Sequence, residues 1–419
     1  MKIAFIVDRF PCISQTFILN QITGLLDMEY DVKIFAQFNP KEEKVHSDVE
    51  KYRLMERVRY FDIPNDKNKR ILKAAFLVIT NFHKKPLKIL KSLSILKYGK
   101  KALSLKLLYI FIPFLDQRFD VILCHFGSNG ILGAYLKEIG VNGKLVTAFH
   151  GYDMSAFISN NSKNAYKNLF LNGDLFLPVS DYWKKKLIRM DCNEKKIIVH
   201  RMGINLGKFT FFERRKEPRE AIKLLTIGRL TEKKGHEYAI RAVSKLIKKY
   251  KNIEYIIAGD GPLRSKLENL VLELGMGSYI KFIGEVEQNE VVKLYQLAHI
   301  FILPSITASN GDQEGIPVVL MEAQATGLPI ISTYHTGIPE VILEGKSGFL
   351  VPEKDVEALV KKLEYLIEHP ELWSKMGHYG RKFVEERYNI EKLNLQLVKI
   401  FNASLTDDMN ILEELKRHQ

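Results

Sequence analysis

Short runs of apolar residues, each ending in small or polar residues, alternate along this sequence with segments of helical periodicity. This alternation predicts parallel β-sheets, because parallel strands need a long crossover connection and a helix commonly supplies it. The predicted strands of the first half are residues 3–7, 32–36, 121–124, 145–149 and 175–179. A second series follows at residues 224–227, 255–258, 280–283, 300–303, 330–332 and 349–351. The predicted class is α/β, with two doubly wound units in succession.

Residues 203–220, between the two series, are mostly charged or turn-forming, and we predict an interdomain linker because no core can be built from them. The length agrees, since 419 residues exceed what one hydrophobic core usually organises. The two domains are expected to face each other across a cleft where the strands end and ligands bind. The predicted units are a Rossmann-like domain at 1–205, a second one at 206–389, and a C-terminal helix at 390–419 that packs back towards the first domain.

The composition favours a cytoplasmic protein that does not cross a membrane. Its three cysteines, Cys12, Cys124 and Cys192, lie far apart and lack the spacing of metal ligands. The first apolar run, 3–7, is too short for the core of a signal peptide. No run approaches the ~18 apolar residues that span a bilayer.

A polar, glycine-containing loop at residues 309–317 leads into a helical run. Proline is favoured at a helix start, so the helix should begin near Pro317. The free amides of Gly315 and Ile316, aided by the helix dipole, then form a site suited to a diphosphate.

Two glutamates flank this helix start, Glu314 just before it and Glu322 inside it. Carboxylates accept hydrogen bonds, and two of them at different depths along one wall can hold hydroxyl groups of two different rings. The alternative is that both are solvated surface residues.

Two further motifs follow predicted strands. The loop 228–235 carries Arg229 and Lys234, whose charges can neutralise a leaving diphosphate. The segment His150-Gly151-Tyr152-Asp153 follows a strand of the first half and is expected to face the cleft. Residues 258–262 form a glycine turn typical of nucleotide-binding βα units.

The two glutamates with seven residues between them, together with Arg229 and Lys234, resemble the signature of retaining glycosyltransferases of family four, which have the GT-B fold. The resemblance extends over nearly the whole chain. It implies that Arg229, Lys234 and the amides of Gly315 and Ile316 bind the donor diphosphate. It also implies that His150 and Glu314 are the catalytic residues at the donor sugar and that Glu322 holds the ribose. Asp153, from the histidine-glycine motif, joins the predicted sugar-binding and ribose-binding residues.

The loop 10–17 departs from the glycine-rich loop that many members of this family carry, which leaves open whether Ser14 and Thr16 contact the donor. Ser14 is also the predicted cap of the first helix. Together with residues 307–317 and 332–340, the loop resembles a subgroup that builds bacterial exopolysaccharide, notably the colanic acid transferases. That resemblance implies a hexose donor, a UDP-sugar, and a lipid-linked oligosaccharide acceptor.

Retention can proceed through a carboxylate nucleophile or by front-side attack, and the sequence does not choose between them. The resemblance favours front-side attack. No Asp-x-Asp occurs in the chain, so we predict no metal and no cofactor beyond the nucleotide-sugar donor, with cations replacing the metal.

The formal net charge is +14, and residues 67–106 hold twelve Lys or Arg and no Asp or Glu. Apolar residues are interleaved with these cations, as in helices that lie on anionic membranes. We therefore predict peripheral attachment to the inner face of the cell membrane, the alternative being a solvated face over an ordinary core. We do not predict a nucleic-acid partner, because the sequence contains no helix-turn-helix, zinc-finger or RNA-binding motif.

Two other functions remain open: a GT-B sugar-nucleotide epimerase, and a non-catalytic protein that binds sugar nucleotides. The glutamate spacing together with Arg229 and Lys234 argues against an epimerase. The presence of every expected site residue argues against a protein that has lost catalysis.

Overall fold

The computed structural model describes residues 1–12, 15–41, 45–162, 164–217 and 220–417. Ser14, the predicted helix cap and possible donor contact, lies outside the described residues.

The first half forms one six-stranded sheet with strand order β3-β2-β1-β4-β5-β6. Every neighbouring pair is parallel. All five predicted strands are confirmed, and the structure adds β3, a three-residue edge strand. The strands are β1 (Lys2–Arg9), β2 (Asp31–Phe38), β3 (Val58–Tyr60), β4 (Val121–His125), β5 (Lys144–Phe149) and β6 (Leu175–Pro178).

The second half repeats this arrangement in a sheet of order β12-β11-β10-β7-β8-β9, again parallel throughout. Counted within each half, both orders are 3-2-1-4-5-6, the doubly wound order of dinucleotide-binding domains. The six predicted strands and the α/β class are confirmed. The strands are β7 (Ile222–Ile227), β8 (Ile253–Ala258), β9 (Ile280–Gly284), β10 (Ile300–Leu303), β11 (Ile330–Thr333) and β12 (Gly348–Val351).

Helices connect the strands and cover the sheets, and in the described residues none is both long and apolar enough to cross a lipid bilayer. The first half contains α1 (Thr16–Asp27), α2 (Ser47–Lys51), α3 (Leu54–Arg57), α4 (Lys67–Asn81), α5 (Pro86–Ser92), α6 (Ile95–Tyr98), α7 (Lys100–Leu103), α8 (Lys106–Phe111), α9 (Gly127–Ile139), α10 (Ala156–Asn160), α11 (Lys167–Asn172) and α12 (Asp181–Ile188). The second contains α13 (His236–Lys249), α14 (Arg264–Glu273), α15 (Gln288–Leu297), α16 (Val318–Ala325), α17 (Val356–Glu368) and α18 (Glu371–Arg387), followed by α19 (Ile390–Leu405) and α20 (Met409–Arg417).

The segment predicted as a linker without a core contains one deeply buried charge, which corrects that expectation. The Arg214 guanidinium donates to the carbonyl oxygens of Ala298 at 3.0 Å and Thr326 at 2.8 Å, and also to that of Gln296. Burial lowers its pKa to about 10. The Arg214 side chain thus attaches the connecting segment to the second half by hydrogen bonds and does not extend into solvent.

The C-terminal segment returns to the first half of the chain. Asn389 pairs with Ile204, and the apolar face of α19, including Leu397 and Phe401, shares a buried cluster with Ile22 of α1. The stretch 390–419, predicted as one helix, forms two helices in its described residues, 390–417. The break falls at 406–408, where Asp407 has a left-handed φ of 53°.

Candidate active site

Two predicted site residues, His150 and Arg229, lie where strands end in the two sheets, and two further histidines, His125 and His335, lie there as well. His125 ends β4 and His150 follows β5 in the first half. In the second half, Arg229 follows β7 and His335 follows β11. Both sheets reverse their winding between their two central strands, and this is where ligands bind in doubly wound folds.

The two halves touch through glycine backbones. A Cβ atom added at Gly315 would lie 1.6 Å from the carbonyl oxygen of His150, and one added at Gly151 would lie 2.6 Å from the Gly315 nitrogen. Gly151 also has a φ of 147°. Only glycine permits this approach and this backbone angle, so the two loops require glycine at both positions.

Glu314 is held from several sides. Its side chain is buried, and one carboxylate oxygen lies 3.1 Å from the ammonium nitrogen of Lys234. Its backbone N–H donates to Nε2 of His335 at 3.1 Å, and the Thr336 hydroxyl donates to its carbonyl oxygen at 3.0 Å. Burial acts to raise the pKa of Glu314, but the positive charges of Lys234 and Lys233 outweigh it and lower that pKa. Glu314 is therefore a carboxylate at neutral pH.

A second set of contacts joins the same two loops. Lys233 lies 3.1 Å from a carboxylate oxygen of Asp312. The Ser309 backbone N–H and hydroxyl both donate to Glu232, at 2.9 and 2.6 Å. These bonds fix the loop before α16 against the loop after β7, so that Glu314 and Lys234 meet in a defined geometry.

The predicted diphosphate contacts lie beside this pair. The helix start is confirmed, with α16 beginning at Val318 and Pro317 as its capping residue. The backbone N–H groups of Gly315 and Ile316 donate no hydrogen bond within the described part of the chain. The Arg229 side chain is exposed and forms no ion pair with another described residue. This region therefore combines the amides of Gly315 and Ile316 at a helix start with the cationic side chains of Arg229 and Lys234. Such a combination can bind an anion.

Glu322 lies inside α16 and is buried. Its carboxyl group accepts a hydrogen bond from the Tyr295 hydroxyl at 2.9 Å. Burial raises the pKa of Glu322 to about 7, although the Tyr295 hydrogen bond acts to lower it. Sequence analysis missed Tyr295, because a tyrosine in the middle of an amphipathic helix carries no signal of such a partner.

His150 lies in an aromatic pocket. The ring centroids of Phe17 and Phe126 are each 4.7 Å from that of His150. Its Nε2 atom lies 3.0 Å from Nδ1 of His125. Burial, with smaller effects from His125 and His200, lowers the pKa of His150 well below its usual value. Both rings of the pair are therefore neutral, since burial also lowers the pKa of His125 to about 3.

Asp153 lies beneath the loop and is 0% exposed. One carboxylate oxygen accepts from the backbone N–H groups of His150 at 3.0 Å and Gly151 at 2.8 Å, and the other accepts from Gly127 at 2.8 Å. The Tyr166 hydroxyl donates to its carbonyl oxygen at 2.6 Å. This placement corrects the prediction that Asp153 contacts the donor, because its acceptor atoms are used to shape the loop.

Comparison with known proteins identifies the family. The profile described as "Glycosyl transferases group 1" matches residues 208–383. WcaL of Salmonella typhimurium, described as a colanic acid biosynthesis glycosyltransferase, is 37% identical over 410 residues, which cover 96% of this chain and 100% of that protein. The amylovoran biosynthesis glycosyltransferase AmsK of Erwinia amylovora is 40% identical over 366 residues, 86% of this chain and 89% of that protein.

Solved structures agree on the fold. Sucrose-phosphate synthase from Thermosynechococcus elongatus superposes with a TM-score of 0.71 at 18% identity, over 97% of this chain and all of that one. Anabaena HepE, crystallised with UDP and glucose, gives 0.71 at 15% identity, over 96% and 100% of the two chains. These likenesses confirm the predicted GT-B architecture of two doubly wound halves. The chain therefore belongs to the group 1 glycosyltransferases, and within them to the glycosyltransferases of exopolysaccharide biosynthesis.

Proposed function

We propose that the protein transfers a hexose from a UDP-sugar to a lipid-linked oligosaccharide with retention of configuration. The observation that carries this proposal is the buried Lys234–Glu314 pair at the start of α16, against the His150 backbone. In this pair Lys234 provides a positive charge that can stabilise the leaving diphosphate, and Glu314 provides a carboxylate that can bind hydroxyl groups of the sugar. UDP is proposed because HepE, which shares the fold, was crystallised with it.

In the proposed reaction the bond from the anomeric carbon to the diphosphate breaks, and the acceptor oxygen bonds to that carbon on the same face. The acceptor hydroxyl passes its proton to the departing phosphate oxygen. Arg229, Lys234 and the amides of Gly315 and Ile316 stabilise the charge on that phosphate. Glu314 orients the sugar hydroxyls, since its bond to Lys234 weakens it as a nucleophile.

The proposal includes activity without a metal ion or other cofactor, because two cationic side chains and a helix start can neutralise the diphosphate. The competing epimerase would change the stereochemistry of the donor sugar in the absence of acceptor. A non-catalytic protein would bind the nucleotide sugar and leave it intact.

The test incubates purified protein and a lipid-linked oligosaccharide extract with a panel of nucleotide sugars, in EDTA. Release of nucleoside diphosphate is measured together with acceptor growth. Glu314→Ala and Lys234→Ala should each abolish most transfer. The matched control is Lys245→Ala, which breaks an exposed ion pair with Glu357 away from the site. An epimerised donor would reject the transferase in favour of an epimerase, and a donor that stays intact would indicate a non-catalytic protein. Transfer that requires added metal would reject the proposed metal independence.

We further propose that the transferase works at the inner face of the cell membrane, attached through residues 67–106. Helix α4 exposes Leu72, Phe76 and Ile79, at 72%, 64% and 76%, with the spacing of one helical face. Exposed apolar residues continue into α5 and α6 with Leu87, Leu90, Ile95 and Leu96. A contiguous exposed apolar surface commonly marks an interaction site.

The charges around this surface favour an anionic membrane. Three of the twelve cations are paired with carboxylates from outside the segment, Lys73 with Asp62, Lys84 with Asp116 and Lys97 with Glu138. Each remaining cation near an anionic surface contributes about 1 kcal/mol. Not every apolar side chain of residues 67–106 belongs to this surface, since Ile89 of α5 is buried in the core.

Vesicle flotation tests this attachment. The protein should float with phosphatidylglycerol-rich vesicles, less so at high salt, and should not float with pure phosphatidylcholine. The variant Leu72→Ser/Phe76→Ser/Ile79→Ser should lose flotation, whereas Leu272→Ser, which changes an equally exposed leucine on α14, should retain it. Equal flotation of the triple variant, or none by the native protein, rejects the proposal.

A further inference from the structure

Three loops of the second sheet are joined by one buried histidine and one glutamate. His335 follows β11 and is 0% exposed, and Glu353 follows β12 and is half-buried. One Glu353 carboxylate oxygen lies 2.6 Å from Nδ1 of His335, and the other accepts a hydrogen bond from the backbone N–H of Thr307 at 2.8 Å. Nε2 of His335 in turn accepts from the backbone N–H of Glu314 at 3.1 Å. A continuous chain of hydrogen bonds thus links the loops that follow β10, β11 and β12.

The partners of His335 determine where its proton lies. A backbone N–H can only donate, so Nε2, which faces the Glu314 N–H, must carry a lone pair. A neutral imidazole then has its single proton on Nδ1, where a Glu353 oxygen accepts it. The opposite tautomer or an imidazolium would place an N–H against that of Glu314. The structure therefore admits one form, neutral His335 with Nδ1–H, and it requires Glu353 to accept on both oxygens, as a carboxylate does.

These bonds hold the backbone from which the Glu314 side chain projects. The Glu314 N–H is held by His335, and its carbonyl oxygen accepts from the Thr336 hydroxyl at 3.0 Å, so the peptide groups on both sides of its Cα atom are fixed. The carboxylate is thereby directed to the Lys234 ammonium, 3.1 Å away. The next residue, Gly315, carries one of the two amides proposed to bind the diphosphate. A displacement of this short segment would move the carboxylate and the amide together.

We propose that His335 and Glu353 are positioning residues that hold the Glu314 carboxylate and the Gly315 amide in place for sugar transfer. This inference rests on the proposed function for its consequence in catalysis. Both residues act through the Glu314 backbone and need not touch the substrate. His335 supplies the acceptor that a buried N–H requires, and Glu353 fixes the orientation and the tautomer of His335.

Glu353→Gln tests this chain with almost no change of shape, because it replaces one oxygen by an NH2 group. Both partners of Glu353 donate to it, whereas a glutamine amide has only one accepting oxygen. In either orientation of the amide an N–H therefore faces that of Thr307 or that of His335. His335 avoids the second conflict only by moving its proton to Nε2, against the Glu314 N–H. Glu344→Gln is the matched control, because Glu344 accepts from a single backbone N–H of β12 and an amide oxygen can replace it there.

Two substitutions of His335 separate hydrogen bonding from packing. His335→Phe keeps a flat ring but can neither accept from Glu314 nor donate to Glu353. His335→Gln keeps one donor and one acceptor, so it can bond to both neighbours. If the phenylalanine variant does not fold, Glu353→Gln decides the question, since it preserves the size of the side chain.

Two measurements report the hydrogen-bond chain without turnover. Nitrogen-15 NMR of histidine-labelled protein gives the tautomer of His335, whose signal is the one missing from His335→Gln. Amide hydrogen exchange shows whether the Glu314 N–H is bonded. In the native protein His335 should carry its proton on Nδ1 and the Glu314 amide should exchange slowly. Glu353→Gln should move the proton to Nε2 or speed exchange at Glu314, and Glu344→Gln should do neither.

The rates should follow the same pattern. Glu353→Gln and His335→Phe should each lower kcat about 10-fold, as expected when one hydrogen bond is lost, and His335→Gln should stay within about threefold. The affinity for UDP should also stay within about threefold in Glu353→Gln, a change smaller than that of a typical hydrogen bond, because UDP lacks the donor sugar that Glu314 orients. Glu344→Gln should leave kcat and UDP affinity unchanged.

Protonation of native His335 on Nε2 or on both nitrogens would overturn the proposal. A Glu353→Gln variant with the native tautomer, native exchange at Glu314 and native kcat would also overturn it. An equal loss of kcat and of UDP affinity, with unchanged exchange at Glu314, would show that Glu353 only stabilises the second half. If no donor supports transfer in the native protein, the proposed function fails, and NMR and exchange still decide whether His335 and Glu353 hold Glu314.

Discussion

The raised pKa of Glu322 predicts that donor binding depends on pH near neutrality. Burial in α16 moves this pKa from 4.5 to about 7, so near pH 7 about half of the molecules carry the neutral acid. The proposed partner is a pair of ribose hydroxyl groups, which donate best to an ionised carboxylate. Binding should therefore select the ionised form and release a proton.

The sign and size follow from this pKa. Below it, each pH unit should weaken donor binding about tenfold, and above it the affinity should level off. Between pH 8 and pH 6 the dissociation constant should rise about tenfold. Glu322→Gln cannot ionise, so its binding should be weaker than that of the native protein at pH 8 and constant between the two pH values.

Titration calorimetry with UDP-glucose measures this, because each phosphate of that donor carries one ester and the shared anhydride bond, and therefore does not titrate in this range. At pH 7, two buffers of different ionisation enthalpy should reveal about half a proton released per donor bound. Tyr295→Phe removes the hydrogen bond that lowers the Glu322 pKa, so its midpoint should move to higher pH. Equal pH dependence in Glu322→Gln, or affinity that falls as pH rises, would refute the reasoning.

Three other substitutions test the geometry. Gly315→Ala places a methyl group against the His150 carbonyl oxygen, so transfer should be lost. The thermal unfolding temperature measured by calorimetry should change much less than the activity, and full activity would contradict the contact. Lys234→Met removes the ammonium group that lies 3.1 Å from the Glu314 carboxylate and should lower kcat roughly 100-fold. Lys245→Met is the control. A loss of kcat below about threefold would argue against a role of Lys234 in transfer. Glu340→Gln removes the charge of a carboxylate that accepts hydrogen bonds from the backbone N–H groups of Asp181 and Tyr182 in the other half. Weaker bonds between the halves should make the molecule more open in small-angle scattering. Unchanged scattering would contradict this.

The strands were predictable because parallel strands buried on both faces read as continuous apolar runs. Edge strand β3 was missed, since three residues, of which Arg59 is exposed, give no such run. The linker prediction failed at Arg214, because local charge does not reveal three carbonyl oxygens that come from distant parts of the chain.

In the site, too, residues with a local sequence signal were predicted, and those that depend on distant contacts were not. Glu314 and Lys234 were found because each lies next to a glycine-containing loop at a strand end or a helix start. Asp153 was misassigned because its closeness in sequence to His150 suggested a common direction, whereas the turn at Gly151 folds it under the loop. The contact of Tyr295 with Glu322 could not be predicted, because only the packing of α15 against α16 brings the two side chains together.

The pairing of Lys234 with Glu314 would favour the proposed catalysis. Each group holds the other in a buried place where either alone would be costly, because an isolated buried charge is poorly solvated. A lysine ammonium has three N–H donors, so Lys234 can keep Glu314 and still donate to a phosphate oxygen. In the proposed reaction the site is therefore preorganised before the donor arrives, and the diphosphate would meet a cluster that also contains Lys233 and Arg229. Electrostatic stabilisation of this kind requires little rearrangement at the moment of transfer, which is the condition under which it accelerates a reaction most.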